Sequence, residues 1–116
     1  MIARLMGLET ITPRELDRLV RDGAVTSIDV NSRQSWATAR VPGARHLDAA
    51  TYGERDLPGE KDAPLVFYCS NAFCRKAPHA ARRALAMGHR NVRVLSSGIS
   101  GWLGAGLPTE SGDIDR

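Results

Sequence analysis

An α/β fold, with a small and largely parallel β-sheet covered by helices on both faces, is what the 116-residue sequence predicts. Short runs of branched and aromatic residues alternate with segments of helical periodicity, and glycine or proline separates many of them. The most apolar run, Leu65–Tyr68, has the composition of a buried central strand. Strands that are separated by helices form βα units, whose strands run parallel. The length of the chain predicts one domain over residues 1–116.

Two helix starts in the first half carry recognisable caps. Thr12 and Glu15 form a capping box, with Pro13 at the first helical position, and Gly23 is placed to end this helix. Ser32 is the expected N-cap of a second, shorter helix that continues to residue 40. The strands predicted for this half lie at 9–12, 25–30 and 45–47, with a turn over 41–44.

The second half begins with a polar, turn-rich segment over 48–62. In the longest predicted helix, apolar residues recur at helical spacing, and Gly88 is placed to end it. We expect the C-terminal tail, residues 109–116, to be flexible. The elements predicted for this half are a helical turn near 49–52, strands at 65–68 and 91–95, and helices at 77–87 and 99–103.

The composition is that of a soluble globular protein, with 42% hydrophobic residues, 25% charged residues and a net charge of +3. Basic residues are spread among acidic ones and aromatic residues make up only 5% of the chain, which argues against a nucleic-acid partner. We read no signal peptide and no membrane span in the sequence, and expect no membrane partner. Both cysteines lie in one loop and form no disulfide framework, so we expect a reducing, cytoplasmic location.

The loop that begins at Cys69 is the candidate functional site. Cys69 follows the central strand and faces the start of the longest helix, which is the crevice where open α/β sheets bind ligands. Backbone N–H groups in such a loop, with the helix dipole behind them, favour an anion and stabilise a thiolate. Cys69 is therefore the candidate nucleophile, and the residues expected to bind an incoming anion are Ser70, Asn71, Ala72, Phe73, Cys74, Arg75 and Lys76.

Cys74 has two interpretations. As a resolving thiol it would attack an oxidised or persulfidated Cys69 and form a reversible disulfide, and as a structural residue it would fill the packing of the loop. A metal site would need Cys69, Cys74 and His79, but their spacing matches no common zinc pattern and a fourth ligand is missing. We therefore expect neither a metal nor a cofactor.

Five segments of the sequence together resemble the rhodanese-like domains, a family of small α/β sulfurtransferases and related proteins. They occur in the family's order and span nearly the whole chain. They are the capped helix from Thr12, then Ile28–Val30, Val41–Ala44, Val66–Cys69, and Gly98–Trp102 followed by Gly106–Pro108. The resemblance implies the rhodanese-like fold, and it implies that Asp29 is a structural aspartate near the pocket.

The sequence also departs from the pattern of this family at three places. Asn31 stands where the family usually has arginine, and Arg40 precedes Val41 where the family usually has histidine. Five residues separate Cys69 from Arg75, whereas sulfurtransferases of the family typically have four. The longer spacing is similar to that of rhodanese-fold phosphatases and arsenate reductases.

The resemblance implies a sulfurtransferase that moves sulfane sulfur from thiosulfate or a similar donor anion to a thiophilic acceptor, cyanide or a thiol. Attack by Cys69 on the donor would leave a persulfide, which makes the mechanism covalent and two-step. Two alternatives stay open. One is a rhodanese-fold phosphatase or arsenate reductase, which the loop spacing favours, and the other is a non-catalytic redox-sensing or binding module that uses Cys69 and Cys74.

Overall fold

The computed structural model describes residues 2–113, which form a five-stranded parallel sheet with helices on both faces. The strands are β1 (Thr10–Ile11), β2 (Thr26–Asp29), β3 (Arg45–His46), β4 (Leu65–Tyr68) and β5 (Val92–Leu95). They lie in the order β1-β5-β4-β2-β3, and every neighbouring pair is parallel. The predicted α/β fold is confirmed, and β4 is its central strand.

The helices are α1 (Ile2–Leu5), α2 (Pro13–Arg21), α3 (Arg33–Thr38), α4 (Lys76–Ala86) and α5 (Gly98–Gly104). Short α1 was not predicted from the sequence. The helical turn expected near 49–52 is present, since the Tyr52 N–H donates to the Asp48 carbonyl at 3.1 Å, and a separate 3₁₀ turn follows at Glu54–Asp56. It forms there because the Asp56 carboxylate accepts a hydrogen bond from the Gly53 N–H at 2.8 Å, which caps the turn.

The predicted caps of α2 and α3 are present. In α2 the Thr12 N–H donates to the Glu15 carboxylate at 2.9 Å, and the Glu15 N–H donates to the Thr12 hydroxyl at 3.1 Å. In α3 the Ser35 N–H donates to the Ser32 hydroxyl at 3.1 Å. These local hydrogen bonds satisfy N–H groups that would otherwise have no helical partner, so both helix starts follow from the sequence alone.

Two apolar cores lie on the two faces of the sheet, and β4 contributes to both. Its side chains alternate, so that Leu65 and Phe67 pack against α4, while Val66 and Tyr68 pack on the side of α2 and α5. All four side chains are at most 1% exposed. Burial on both faces explains why this strand reads as a continuous apolar run, as expected for the centre of a parallel sheet. It also places the loop after β4 at the middle of the sheet edge.

The N-terminus of α5 is fastened to the backbone that follows β4. The Ile99 N–H donates to the Cys69 carbonyl at 2.9 Å, and the Ser100 N–H donates to the Ser70 carbonyl at 3.0 Å. Gly98 has a φ of +67°, and a Cβ built on it would lie 2.6–2.7 Å from backbone atoms of residues 69–71. Only glycine allows both this conformation and this close approach. The start of the cysteine loop is therefore fixed by α5.

A hydrogen-bonded group of buried polar side chains joins β4 to β2 and to the turn after α3. The Tyr68 hydroxyl accepts a hydrogen bond from the Val41 N–H at 3.1 Å and lies against the Asp29 carboxyl. Asp29 is buried, and its carboxylate accepts from the Asn31 N–H at 2.8 Å. Buried polar groups need such partners, because an unpaired one costs about 1–3 kcal/mol. The group therefore fixes the ends of both strands.

Arg40 is a second buried polar residue, only 1% exposed, and it holds the C-terminal tail. Its guanidinium lies 4.0 Å from the centre of the Trp36 ring and donates to the Gly112 carbonyl at 2.7 Å. The Glu110 carboxylate is 3.6 Å from its Nε, and the backbones of Arg40 and Glu110 form an antiparallel bridge. These contacts attach residues 110–113 of the tail to α3, and the last three residues lie outside the described part.

Replacing Tyr68 by phenylalanine is expected to lower the free energy of unfolding by about 1–3 kcal/mol, because the buried Val41 N–H then loses its acceptor. Tyr52→Phe is the matched control. The Tyr52 hydroxyl is also buried and donates to the Ala80 carbonyl at 2.6 Å, but this acceptor lies inside α4. Loss of this hydrogen bond should lower the free energy of unfolding by about 1 kcal/mol. Urea unfolding measures both, and equal losses would contradict the role given to Tyr68.

Gly98→Ala should destabilise the protein by about 3 kcal/mol, because a Cβ adds both the strain of a positive φ and a clash with the loop backbone. Gly104→Ala, at the end of the same helix, meets no atom within 4 Å and is the control. Thermal unfolding compares the two variants. A Gly98→Ala protein as stable as Gly104→Ala would show that the close approach is not needed.

Candidate active site

Cys69 lies directly after β4 and is 2% exposed. Its Sγ accepts a hydrogen bond from the Ala77 N–H, in the first turn of α4, at 3.4 Å, and the backbone N–H of Ser70 also acts on it. These two N–H groups are the part of the predicted anion-binding loop that points at the sulfur. Both lower the pKa of Cys69, as expected for donors at the N-terminus of a helix.

Burial nevertheless raises the pKa of Cys69 to about 12, and a hydrogen bond with the Cys74 thiol acts in the same direction. For Cys74, burial also favours the thiol, but the hydrogen bond from Cys69 and the Lys76 and Ser70 N–H groups outweigh it and lower the pKa of Cys74. The two thiols therefore titrate as a pair. Loss of a proton is therefore favoured at Cys74 and opposed at Cys69.

This result changes the electrostatics expected from the sequence. The loop was expected to favour a thiolate on Cys69 itself, whereas in the structure burial raises the pKa of Cys69 and the pKa of Cys74 is lowered. The two thiols differ because Cys69 is more deeply buried than Cys74. Cys69 belongs to the apolar core between β4 and α4, while Cys74 is half-buried at its edge, and desolvation disfavours the charged form more strongly at the deeper position.

Cys74 stands between two spaces. On its inner side is a cavity, here called the inner cavity, which is lined by Cys69, Asn71, Cys74 and Ala77 among others and has no room for a water-sized molecule. On its outer side is an open groove of about 860 Å³, here called the outer groove. Cys74 is the member of the thiol pair that lines both spaces. The outer groove is lined by three alanines together with Cys74, Arg75, Lys76, His79, Arg82 and Arg83.

The other residues expected to bind an anion are distributed around the loop. The Ser70 hydroxyl donates to the Asn31 side chain at 2.8 Å, and the Asn71 side chain accepts from the Phe73 N–H at 2.9 Å, which shapes the turn. Ala72 lines the inner cavity, and Phe73 is 80% exposed at the tip of the loop. These side chains therefore shape the loop around the thiols.

The two basic residues after Cys74 lie away from the inner cavity. Arg75 and Lys76 are exposed, and both line the outer groove. Both charges therefore act on an anion in this groove, and the charge of Lys76 also lowers the pKa of Cys74. Arg75 does not line the space beside Cys69.

Asp29 lies near the site, but its contacts are with backbone and with Tyr68. Burial raises the pKa of its carboxyl, and the hydrogen bond from the Asn31 N–H opposes this shift only in part. Asp29 thereby fixes Asn31, whose side chain holds Ser70 and whose carbonyl is 2.7 Å from His46 Nε2. A line of hydrogen bonds thus runs from β2 to the residue after Cys69.

Sequence reasoning missed the roles of three residues at this site. Asn31 was noted only as a departure from the family's arginine, although a polar side chain directly after a strand is a signal for the sheet edge. Gly98 was quoted only as part of a motif, and its close approach to the loop became visible in three dimensions. Arg82 was not singled out from the sequence, and it lies in the outer groove.

Among residues 2–113, no three His, Cys, Asp or Glu side chains are grouped in a way that would hold a metal ion. His79 is exposed and lines the outer groove, where it faces other basic side chains. In the same part of the chain, no helix has the length and apolarity needed to cross a membrane.

The chain is similar to two characterised groups of proteins. It is 37% identical over 106 residues to the HTH-type transcriptional regulator Rv0324 of Mycobacterium tuberculosis, and the match covers 90% of this chain but only 46% of the regulator. It is 27% identical to the thiosulfate sulfurtransferase GlpE of Actinobacillus succinogenes, over 91% of this chain and 94% of that protein. The chain thus spans less than half of the first protein and nearly all of the second.

The fold has close counterparts among solved structures. The BH2092 protein of Bacillus halodurans superposes with a TM-score of 0.80 at 18% sequence identity, and the match covers 90% of this chain and 78% of that one. The sequence model of the Rhodanese-like domain matches residues 12–105, from the cap of α2 to the end of α5. This range includes all five segments on which the resemblance rested, apart from the final turn. The chain belongs to the rhodanese-like domain family.

Proposed function

We propose that the protein is a sulfurtransferase that moves sulfane sulfur from thiosulfate, or a similar donor, to a thiophilic acceptor through a persulfide on Cys69. Membership of the rhodanese-like family supports this proposal, as does the similarity to a thiosulfate sulfurtransferase over 94% of its length. The observation that carries it is the interacting pair of thiols, Cys69 and Cys74, at the end of the central strand.

The reaction has two half-reactions. In the first, the Cys69 thiolate attacks the outer sulfur of thiosulfate, the S–S bond breaks, and sulfite leaves with the bonding electron pair. Cys69 then carries the outer sulfur as a persulfide. In the second, cyanide or a thiolate attacks this sulfur and the Cys69 thiolate leaves, so that thiocyanate or a new persulfide is released. Both steps balance without an external oxidant.

Cys74 has the role of proton acceptor in this proposal. Because burial raises the pKa of Cys69, this thiol must lose its proton before it can attack. A hydrogen bond joins the two thiols, so the proton passes directly to Cys74, whose lowered pKa favours the thiolate that accepts it. The Ser70 and Ala77 N–H groups then stabilise the charge of the Cys69 thiolate and of the persulfide that replaces it.

The cations of the outer groove support the same assignment. Thiosulfate carries two negative charges, and Arg75 and Lys76 stand where they attract such an anion to the mouth of the site next to Cys74. A phosphatase or arsenate reductase has less support. The Arg75 side chain does not line the inner cavity, and neither does any carboxylate that would protonate a leaving group.

A second candidate function is redox sensing, and the hydrogen-bonded thiol pair favours it. The Cys74 thiolate would attack hydrogen peroxide, the O–O bond would break, and Cys74 would become a sulfenic acid while the released hydroxide takes a proton from solvent and leaves as water. The Cys69 thiol would then displace hydroxide, which leaves as a second water, and a Cys69–Cys74 disulfide would form. Mild peroxide followed by intact mass measurement tests this candidate. Loss of two hydrogens would support it, and a protein that keeps the full thiol mass would rule it out.

Thiosulfate is expected to add the mass of one sulfur atom to the wild-type protein, because the persulfide forms when no acceptor is present. Cys69→Ser should gain nothing, since serine cannot form this intermediate. Cys74→Ser is the matched control, and it should still gain one sulfur, but more slowly. Intact mass spectrometry after incubation with thiosulfate measures all three proteins. An adduct that survives Cys69→Ser would place the nucleophile elsewhere.

The rate of sulfite release should rise with pH, because attack requires that the pair has lost a proton. In the wild type the rise should come below the pH at which a free thiol ionises, since the lowered pKa of Cys74 supplies the proton acceptor. In Cys74→Ser the proton acceptor is missing, so the rate of sulfite release should follow the raised pKa of buried Cys69. The rise in this rate should therefore move to higher pH. At pH 7.5 this variant should be about tenfold slower or more, because each pKa unit changes the thiolate fraction tenfold.

Single-turnover measurement of sulfite between pH 6 and pH 10 gives these profiles. Arg14→Gln, at an exposed position on α2, is a control that should keep the wild-type profile. A Cys74→Ser profile that coincides with the wild type would show that Cys74 does not accept the proton.

A further inference from the structure

We propose that the outer groove is a docking site for an acidic protein segment that carries the acceptor thiol. The inference rests on the proposed sulfurtransferase function and adds the class of partner to it. It concerns the face of α4 that leads to Cys74, and it depends on the charges, the dimensions and the lining of this groove.

The charge of the groove is entirely positive. Its described lining includes Arg75, Lys76, His79, Arg82 and Arg83 and no aspartate or glutamate. Elsewhere between residues 2 and 113 some cations, such as Arg21, Arg40 and Lys61, have a carboxylate partner within 4 Å, whereas others, such as Arg14 and Arg55, do not, but those are not grouped in one groove. Within that described part, Arg75, Lys76 and Arg82 make no ion pair. Uncompensated cations on one face repel each other and favour an anionic partner.

One of the basic residues is held in place. Arg83 is half-buried, and it donates to the Tyr52 carbonyl at 2.8 Å and to the Ala49 carbonyl at 3.2 Å. Its guanidinium also lies 4.5 Å from the centre of the Tyr52 ring. Arg83 therefore fixes the wall of the groove opposite α4. Arg82 next to it is exposed and remains available for a partner.

The length of the groove fits a peptide better than a small anion. Its lining runs along α4 from Arg75 to Ala86, which is about 16 Å at the helical rise of 1.5 Å per residue. This length equals about five residues of extended chain. The volume, about 860 Å³, is far larger than thiosulfate or cyanide requires. The three alanines of the lining give it an apolar floor against which a peptide backbone can lie.

The position of Cys74 links the groove to the chemistry. This thiol lines the outer groove and contacts Cys69 on its inner side. A peptide in the groove therefore brings its own cysteine beside Cys74, at the entrance to the persulfide. Nucleic acid, the other polyanion, fits less well because the lining of the groove includes no Phe, Tyr or Trp on which successive bases could stack.

The first experiment measures binding and does not need turnover. A fluorescein-labelled peptide of about ten residues, acidic and with serine in place of cysteine, is titrated with the protein, and a peptide with Gln and Asn in place of Glu and Asp is its control. We expect the acidic peptide to bind at least about tenfold more tightly at low ionic strength, and the difference to shrink as salt is added. Equal affinity of the two peptides would overturn the proposal.

Arg82→Glu tests the groove itself, and Arg14→Glu is its matched control. Both change the charge of an exposed helical arginine by the same amount, but Arg14 lies on α2, which covers the opposite face of the sheet. Arg82→Glu should weaken the acidic peptide about tenfold or more, and Arg14→Glu less than about twofold. Equal losses in the two variants would indicate net charge alone, and would overturn the proposal. Tighter binding of a single-stranded oligonucleotide of the same charge would overturn it in favour of nucleic acid.

The second experiment measures sulfur transfer from the persulfidated protein to the cysteine form of each peptide and to 2-mercaptoethanol. The ratio of kcat/KM for the acidic peptide to that for 2-mercaptoethanol should fall at least about tenfold in Arg82→Glu. If the wild type forms no persulfide, the proposed sulfurtransferase function fails, while the binding titration still decides about the groove. If the persulfide forms and the acidic peptide has no advantage, the groove proposal alone fails.

Discussion

The close approach of Gly98 to the backbone of residues 69–71 is the contact on which the rest of the site depends. It lets the first N–H groups of α5 bind the carbonyls of Cys69 and Ser70. The N–H groups of Ser70 and Ala77 are then free to act on Cys69. Two helices thus contact this loop in different ways. The N–H groups of α5 donate to the carbonyls of the loop, and an N–H group of α4 donates to the Cys69 sulfur.

The second constraint is the unequal burial of two thiols that share a hydrogen bond. A fully buried cysteine beside β4 is a poor thiolate, and an exposed one would be reactive toward many compounds. The raised pKa of Cys69 and the lowered pKa of Cys74 separate the two demands. The nucleophile lies in the apolar core, and the thiol at the edge of the core is the one that ionises more readily. The charge of Lys76, at the start of α4, lowers the pKa of Cys74 from outside the core.

Most of the fold followed from the sequence because its signals are local. The capping box at Thr12, the apolar run of β4 and the glycines that end the helices each depend on a few neighbouring residues. The candidate active site could be predicted from the sequence only in part. Cys69 was identified from its place after β4, but its partnership with Cys74 depends on the path of the loop, and the direction of the Arg75 side chain depends on where α4 begins. The buried position of Arg40 likewise depends on the tail, 70 residues later in the chain.

The hydrogen bond between Ser70 and Asn31 joins residues that are 39 positions apart in the chain. The contact of Gly98 with residues 69–71 joins the same loop to a helix that comes later in the chain. Neither contact exists until β2, β4 and α5 have assembled, so the loop has no native shape of its own before the sheet is complete. The chemistry at Cys69 is therefore coupled to the cooperative folding of the chain. Cys74 lines the open outer groove, whereas thiosulfate and reagents that modify thiols would both reach Cys69 only through an opening fluctuation, and the rate of Cys69 modification would measure the free energy of that opening.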